Sequence, residues 1–179
     1  TFLFADVEGS TALQGTAPAV YPDAIALLRR TLRETVSASG GAESDAVGDE
    51  YVAAFGEAPG AADAALEIQR RLRDTEWPGG IRVRVRLGLH TGTPTLGDEG
   101  YTGIDIVRAS RITNAGHGGQ ILVSADTLGA IALRFGTQVE GIMQLNGLQS
   151  ARRLRVGQEL LIPVPRGQRA EAEAAAKPQ

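Results

Sequence analysis

Residues 81–90, IRVRVRLGLH, set Ile81, Val83, Val85, Leu87 and Leu89 against Arg82, Arg84 and Arg86. A period of two predicts a half-buried strand over this stretch. Residues Phe2 to Val7 are apolar on both faces apart from Asp6, as in a strand of a covered sheet. Pro22 to Ser39 shows helical spacing, with Ile25, Leu28, Leu32 and Val36 as its apolar stripe and Gly40-Gly41 as its stop. In AESDAVGDEYVAAF, two short runs flank Gly48-Asp49 and predict a β-hairpin with Asp49 at its turn. A second helix is expected over Ala61 to Asp74, with Ala62, Ala65, Leu66, Gln69 and Leu72 along one side. Trp77 to Gly80 and LGDEGYTG read as loops, Ile104 to Asn114 as a third helix, and QILVS as a further strand. Hairpins mixed with crossover helices predict an α+β sandwich: a mixed β-sheet with packed helices.

After Ser124 the texture changes. TLGAIALRF and VEGIMQL read as two short helical patches, followed by an Asn146-Gly147 turn and a short strand ELLIP. From Pro165 the chain is rich in Ala, Glu, Arg and Gln without core-forming periodicity, which predicts disorder. The expected organisation is therefore one domain over 1–124, a small unit over 125–163 and a disordered tail over 164–179.

Composition narrows the possible chemistry. The 179-residue chain is 42% hydrophobic and carries a formal net charge of −3, which argues against a nucleic-acid partner. There is no Cys, hence no disulfide framework or thiolate site, and two His, His90 and His117, are too few for a His-based zinc centre. No apolar run reaches membrane-spanning length. Arg82, Arg84 and Arg86 read as a solvated or dimer-facing strand side. Arg152, Arg153 and Arg155 read as a solvated patch, and the two His as structural or turn residues.

Asp6 at a strand end and Asp49 at a hairpin turn can share a divalent cation, and hard oxygen ligands suit Mg²⁺ or Mn²⁺. Gly9, Ser10 and Thr11 follow Asp6 at an expected helix start, where free backbone N–H groups suit phosphate oxygens. Spacing alone fits the ordinary alternative better: Asp49 as a turn residue and Ser10 as an N-cap.

The blocks TFLFADVEGSTAL, GDEYVAAF, VRVRLGLHTG, GYTGIDIVRASRI and GHGGQILVS, in this order, resemble the catalytic domain of bacterial class III adenylate/guanylate cyclases. The resemblance covers residues 1–124 and implies cyclisation of ATP or GTP with release of pyrophosphate. It also implies two Mg²⁺ or Mn²⁺ ions, a head-to-tail homodimer and a cytoplasmic setting. Residue by residue, it makes Asp6 and Asp49 the metal-binding carboxylates and Val7 a backbone carbonyl ligand. Glu8, Gly9, Ser10 and Thr11 become the phosphate turn, and Arg111 the arginine that stabilises the transition state across the interface. Asp45 stands where the family has its purine-selecting lysine, Gly100 at the second purine-selecting position, and Val107 in place of the ribose-orienting asparagine. Val107 cannot hydrogen-bond a ribose, and Asp45 cannot donate to a base carbonyl.

The family's terminal hairpin, with its triphosphate-binding lysine, is replaced here. Residues 121–163 instead resemble a LysM module, a βααβ unit that binds N-acetylglucosamine glycans such as peptidoglycan or chitin and belongs to the cell envelope. Gly129 stands where an aromatic is usual. Both resemblances claim ILVS, and one strand serving two sheets is not expected; a junction near Ser124 is. Two readings follow: a metal-dependent purine nucleotide cyclase in signal transduction, of full or weak activity, or a catalytically inactive cyclase-like nucleotide-binding or dimerisation domain with a glycan-binding module.

Overall fold

The computed structural model describes residues 1–98, 100–134, 136–149 and 153–154. The expected strand ELLIP, the tail over 164–179, and Arg152 and Arg155 lie outside the described residues. The elements in chain order are β1 (Phe2–Val7), α1 (Ser10–Thr16), α2 (Tyr21–Ala38), β2 (Gly41–Val47), β3 (Glu50–Phe55) and α3 (Ala58–Asp74). After them come β4 (Val85–His90), β5 (Thr95–Gly97), β6 (Gly100–Thr102), α4 (Ile104–Asn114), β7 (Ile121–Val123), α5 (Ala125–Arg134), α6 (Val139–Leu145) and β8 (Arg153–Leu154).

Six strands form one mixed sheet in the order β2-β3-β1-β4-β7-β8, and β5 pairs with β6 as a separate hairpin. β1 lies antiparallel to both β3 and β4, while β4 and β7 run parallel, joined through α4. The alternation of side chains divides the sheet into two faces. Leu3, Ala5, Val7, Val85, Leu87 and Leu89 pack with Leu28, Leu32 and Ile68 of α2 and α3 in the main core. Phe2, Phe4 and Val52 pack on the other face with Ala109 of α4. Asp6 shares its parity with Phe2 and Phe4, so it emerges on the α4 side at the end of the buried row.

Three elements differ from the sequence-based expectation. The strand expected from Ile81 begins only at Val85. Its partner β1 ends opposite Val85, and after one more bond, from the Glu8 N–H to the Arg84 carbonyl at 2.8 Å, the chain turns away at Gly9. α3 starts three residues earlier than expected because Pro59 is accommodated in its first turn. The Gly- and Asp-rich loop contains the β5–β6 hairpin, with Leu96 opposite Tyr101.

The strand claimed by both resemblances has neighbours on both edges. β7 pairs with β4 on one edge and antiparallel with β8 on the other, Ile121 opposite Leu154. A strand has two hydrogen-bonding edges, and β7 uses one for each neighbour. Leu128, Ile131 and Ala132 of α5 and Ile142 of α6 enter the same buried cluster as Leu3 and Ile68. Thr127 is fully buried in a hydroxyl chain: Thr91 donates to Thr127 at 3.2 Å, and Thr127 lies 3.1 Å from the Ser124 hydroxyl. Among the described residues, the region after Ser124 therefore continues the core of the region before it.

Candidate functional site

Asp6 and Asp49 arrive at one end of the sheet by different routes. Asp6 is the penultimate residue of β1. Asp49 sits in the two-residue turn between β2 and β3, whose ladder closes with Val47 opposite Glu50. β1 and β3 pair with Ala5 opposite Tyr51, so extending that register brings the Asp49 turn alongside the end of β1. The turn is fixed from outside: Arg29 of α2 donates from Nη2 to the Gly48 carbonyl at 2.6 Å.

Negative charge accumulates here. Partial burial, then the carboxylates of Asp6, Asp45 and Asp49, push the Glu50 carboxyl above the usual glutamate range. Tyr21, at the start of α2, is likewise raised, by burial first and then by Asp49 and Asp6. A counter-charge is Arg86, opposite Asp6 on β4, which donates from Nε to Asp6 Oδ2 at 2.6 Å and forms an ion pair with it. Arg86 also donates to the Asn114 carbonyl at the end of α4 at 3.3 Å.

Among the described residues no group of three or more His, Cys, Asp or Glu is arranged to hold a metal ion. The carboxylates of Asp6 and Asp49 share Tyr21 and Glu50 as neighbours at this end. Such a set suits a hard cation that takes its remaining oxygens from a phosphate ligand. The surplus of carboxylates around Glu50 fits a cation at this end.

The turn after Asp6 depends on glycine. Gly9 caps α1 with φ 68° and ψ 29°, a left-handed conformation that side chains disfavour. Ser10 and Thr11 open α1, and no side chain caps the helix. Glu8 points elsewhere: it accepts from the Gly118 N–H, which holds its carboxyl below the usual range, and lies 3.3 Å from Arg84 Nη1.

Asp45 and Gly100 meet in one cavity of about 260 Å³ between β2, β3 and β6. Phe4, Val52, Tyr101 and Ile106 form its apolar side, and Ser44 and Glu50 add oxygens. Asp45 follows a bulge at Ser44, and its Oδ1 accepts from the Ala46 N–H at 2.8 Å. Val107 and Arg111 lie one turn apart on the exposed side of α4. The chain thus brings Asp6, Asp49, Asp45 and Glu50 into one neighbourhood, while Arg111 sits apart on the outer side of α4.

Sequence reasoning missed Arg86, Arg29, Tyr21 and Glu50. For Arg86 a signal existed: the alternation in VRLGLH puts it on the same sheet face as the Asp6 row. Arg29 and Tyr21 are brought in by the packing of α2, which no local pattern reveals.

His90 forms a second polar centre at the other end of β4. It is 2% exposed; Nε2 lies 3.2 Å from Asp105 Oδ1, and Nδ1 makes no hydrogen bond. Asp105 also accepts from the Thr93 N–H at 3.0 Å and from Arg108 at 3.1 Å. These bonds, His90's foremost, hold its carboxyl below the usual aspartate range.

Comparison with known proteins agrees with the two sequence resemblances. Residues 122–163 match the LysM domain family. An uncharacterized protein of Mycobacterium tuberculosis is 41% identical over 129 residues, which cover 71% of this chain and 43% of the relative. A receptor-type adenylate cyclase of Trypanosoma congolense is 28% identical over 169 residues, covering 71% of this chain and 23% of that protein. The chain therefore spans less than half the length of these relatives. Among solved structures, the monomeric guanylyl cyclase domain of the RhoGC fusion protein from the aquatic fungus Blastocladiella emersonii superposes with a TM-score of 0.67 at 20% identity, covering 73% of this chain and 82% of that one. No helix among the described residues is long and apolar enough to cross a membrane. The fold is the α+β fold of adenylate and guanylate cyclase catalytic domains, and it runs directly into a segment matching the LysM family.

Proposed function

We propose that the chain is a metal-dependent purine nucleotide cyclase that works as a head-to-tail pair. The observation that carries this is the convergence of Asp6 and Asp49 at one sheet end, where partial burial and then the neighbouring carboxylates raise Glu50. Asp6, Asp49 and the Val7 carbonyl would hold Mg²⁺ or Mn²⁺, which when bound polarises the α-phosphate and eases attack by the ribose 3′-oxygen. Arg86 pairs with Asp6 through Oδ2 and would have to share that carboxylate with a bound cation. The Gly9 turn, with Ser10 and Thr11, presents backbone N–H groups to phosphate oxygens. Glu8 braces that turn through Arg84 and Gly118. The cavity of Asp45 and Gly100 receives the base of ATP or GTP. Arg111 supplies positive charge to the partner copy's α-phosphate. Ile104 at 61% and Val107 at 43% exposure lie two turns and one turn before Arg111 on α4, and covering them against a second copy supports the pairing.

Cyclic AMP and cyclic GMP formation from ATP and GTP with Mn²⁺ tests the reading. Asp6→Asn is expected to lower the product rate by at least about 100-fold. No product from either nucleotide by a confirmed dimer would overturn it.

A second reading, a non-catalytic cyclase-like domain with a glycan-binding LysM segment, draws on one observation: Asp6 already has a hydrogen-bonded ion-pair partner in Arg86. Retention on peptidoglycan or chitin together with absent turnover would favour it.

A further inference from the structure

Residues 81–84 alternate like β4 itself but have lost both neighbouring strands. On one side β1 ends opposite Val85, and the last bond there runs from the Glu8 N–H to the Arg84 carbonyl. On the other side β7 begins opposite Leu87, and the Gly119 N–H reaches only as far as the Val85 carbonyl. Among the described residues, no backbone group bonds to the N–H or carbonyl of Arg82 or Val83. Val83 is nevertheless only 5% exposed and belongs to the main core. Buried side chains therefore pin this stretch in place while its peptide groups stand open, the condition under which an edge accepts a further strand.

The open edge lies in a groove of about 690 Å³ between the end of α3 and residues 75–85. Leu72, Trp77, Ile81 and Val83 give it an apolar side. Gln69 closes it towards β7, its Nε2 donating to the Val85 carbonyl at 2.8 Å. Arg73, Arg82 and Arg84 line the groove against one carboxylate, Glu76. Arg73 reaches Asp74 at 3.3 Å, and Arg84 reaches Glu8 at the same distance. Arg82 is exposed and has no ion-pair partner among the described residues. The chain as a whole carries a net charge of −3, so this positive rim is a local feature.

We propose that this groove docks an extended segment of another protein, one that alternates acidic and apolar side chains and adds as a strand along residues 81–84. Its backbone pairs with the open peptide groups of Arg82 and Val83. Its two rows of side chains point to opposite faces. The apolar row covers Trp77 and Leu72, and the acidic row meets Arg82 and Arg73. Neither Asp6 nor Arg111 lines the groove, so the proposal does not rest on the cyclase reading.

Trp77 is the single Trp of the chain, so its fluorescence reports on the groove. The full chain is titrated with the peptide acetyl-Glu-Val-Glu-Val-Glu-Val-amide. Wild type should give a saturable change in Trp77 emission. Arg82→Glu should weaken binding roughly tenfold, while Arg82→Lys, which keeps the charge, should stay within about threefold of wild type. Arg82 is exposed and its side chain is bonded to nothing among the described residues, so both variants should fold. An analogue methylated at every backbone nitrogen keeps the carboxylates and loses the strand donors; it should bind about tenfold more weakly. Absent saturation in wild type, or Arg82→Glu within about twofold of it, overturns the proposal. An equal response to the Lys-Val counterpart of the peptide, or to oligothymidylate, overturns it too, because neither is an acidic strand. Sedimentation of the protein alone tests the remaining occupant: a self-associated species that Arg82→Glu dissolves would give the edge to a second copy and overturn the foreign segment.

Discussion

At the Asp6 end of the β1–β4 pair, carboxylates accumulate: after partial burial, Asp6, Asp45 and Asp49 all raise Glu50, and Arg86 pairs with Asp6. At the His90 end, four residues and about 13 Å away along the strands, the balance reverses. Arg108 and Arg111 line a cleft onto which a helix start opens, and a buried imidazole nitrogen lacks a partner. The two ends are built on the same strands: Asp6 pairs with Arg86, and Phe2 with His90. An acidic end by itself repels phosphates and needs a cation before a nucleotide can approach. In the proposed head-to-tail pair, the Arg111 side of one copy would meet the Asp6 end of the other, and the loss of Asp6 should remove turnover.

The comparison assumes that the two ends are rigidly connected, and the largest expected effect tests that. Leu128 of α5 is fully buried in the cluster that also holds Leu3, Leu28, Ile68 and Leu87. Leu128→Ala should destabilise the whole chain by about 2–5 kcal/mol. Urea unfolding followed by Trp77 fluorescence, on the far side of the sheet from the cleft's start, and by far-ultraviolet circular dichroism should give coincident transitions, both shifted. A Trp77 transition that stays in place while part of the dichroism signal moves would separate the segment after Ser124 from the rest.

A smaller effect is expected at the acidic end. Arg29 anchors the turn that carries Asp49 through its bond to the Gly48 carbonyl. Arg29→Met keeps the aliphatic stem and removes that donor. The expected cost is ~1 kcal/mol in stability, with a several-fold loss of product rate through Asp49. Product rate at wild-type level would show that the β2–β3 turn holds Asp49 without help.

Much of this arrangement was legible in the residues because local pattern and packing agreed. β1, α2, the β2–β3 hairpin, α4 and β7 fall close to where period and turn residues put them. The failures have physical causes. Ile81 and Val83 alternate as a strand should, but β1 ends opposite Val85 and leaves them no pairing edge. The β5–β6 hairpin is only three residues per strand, too short for a period to register. The strand ILVS has β4 on one edge and β8 on the other, while ELLIP, the strand that the LysM resemblance sets beside it, lies outside the described residues. At the site, Asp6, Asp49 and Arg111 could be named because motif order carries them. Arg86, Arg29 and Glu50 acquire their importance only from cross-strand register and helix packing.

The smallest expected effect separates the two ends by the sign of their pH dependence. Glu50 has a folded pKa above its ordinary value, through partial burial and its acidic neighbours. Ionising it is therefore harder in the folded state, and it favours folding below the ordinary glutamate range. That contribution is lost as pH rises through the raised folded value. Asp105 is the opposite case: hydrogen bonds from His90 and the Thr93 N–H, with help from Arg108, lower its folded pKa. Its contribution is present above the ordinary aspartate range and is lost as pH falls through the depressed folded value. Glu50→Gln should therefore raise the melting temperature at pH 7 by roughly 1–2 °C and leave it unchanged at acid pH, where Glu50 is protonated in wild type. Asp105→Asn should lower the melting temperature at pH 7 and flatten its decline on acidification. Melting curves of the three proteins from pH 3 to pH 8 check both signs. If Glu50→Gln lowers the melting temperature at pH 7, carboxylates do not crowd the Asp6 end, and the contrast in charge between the two ends fails there.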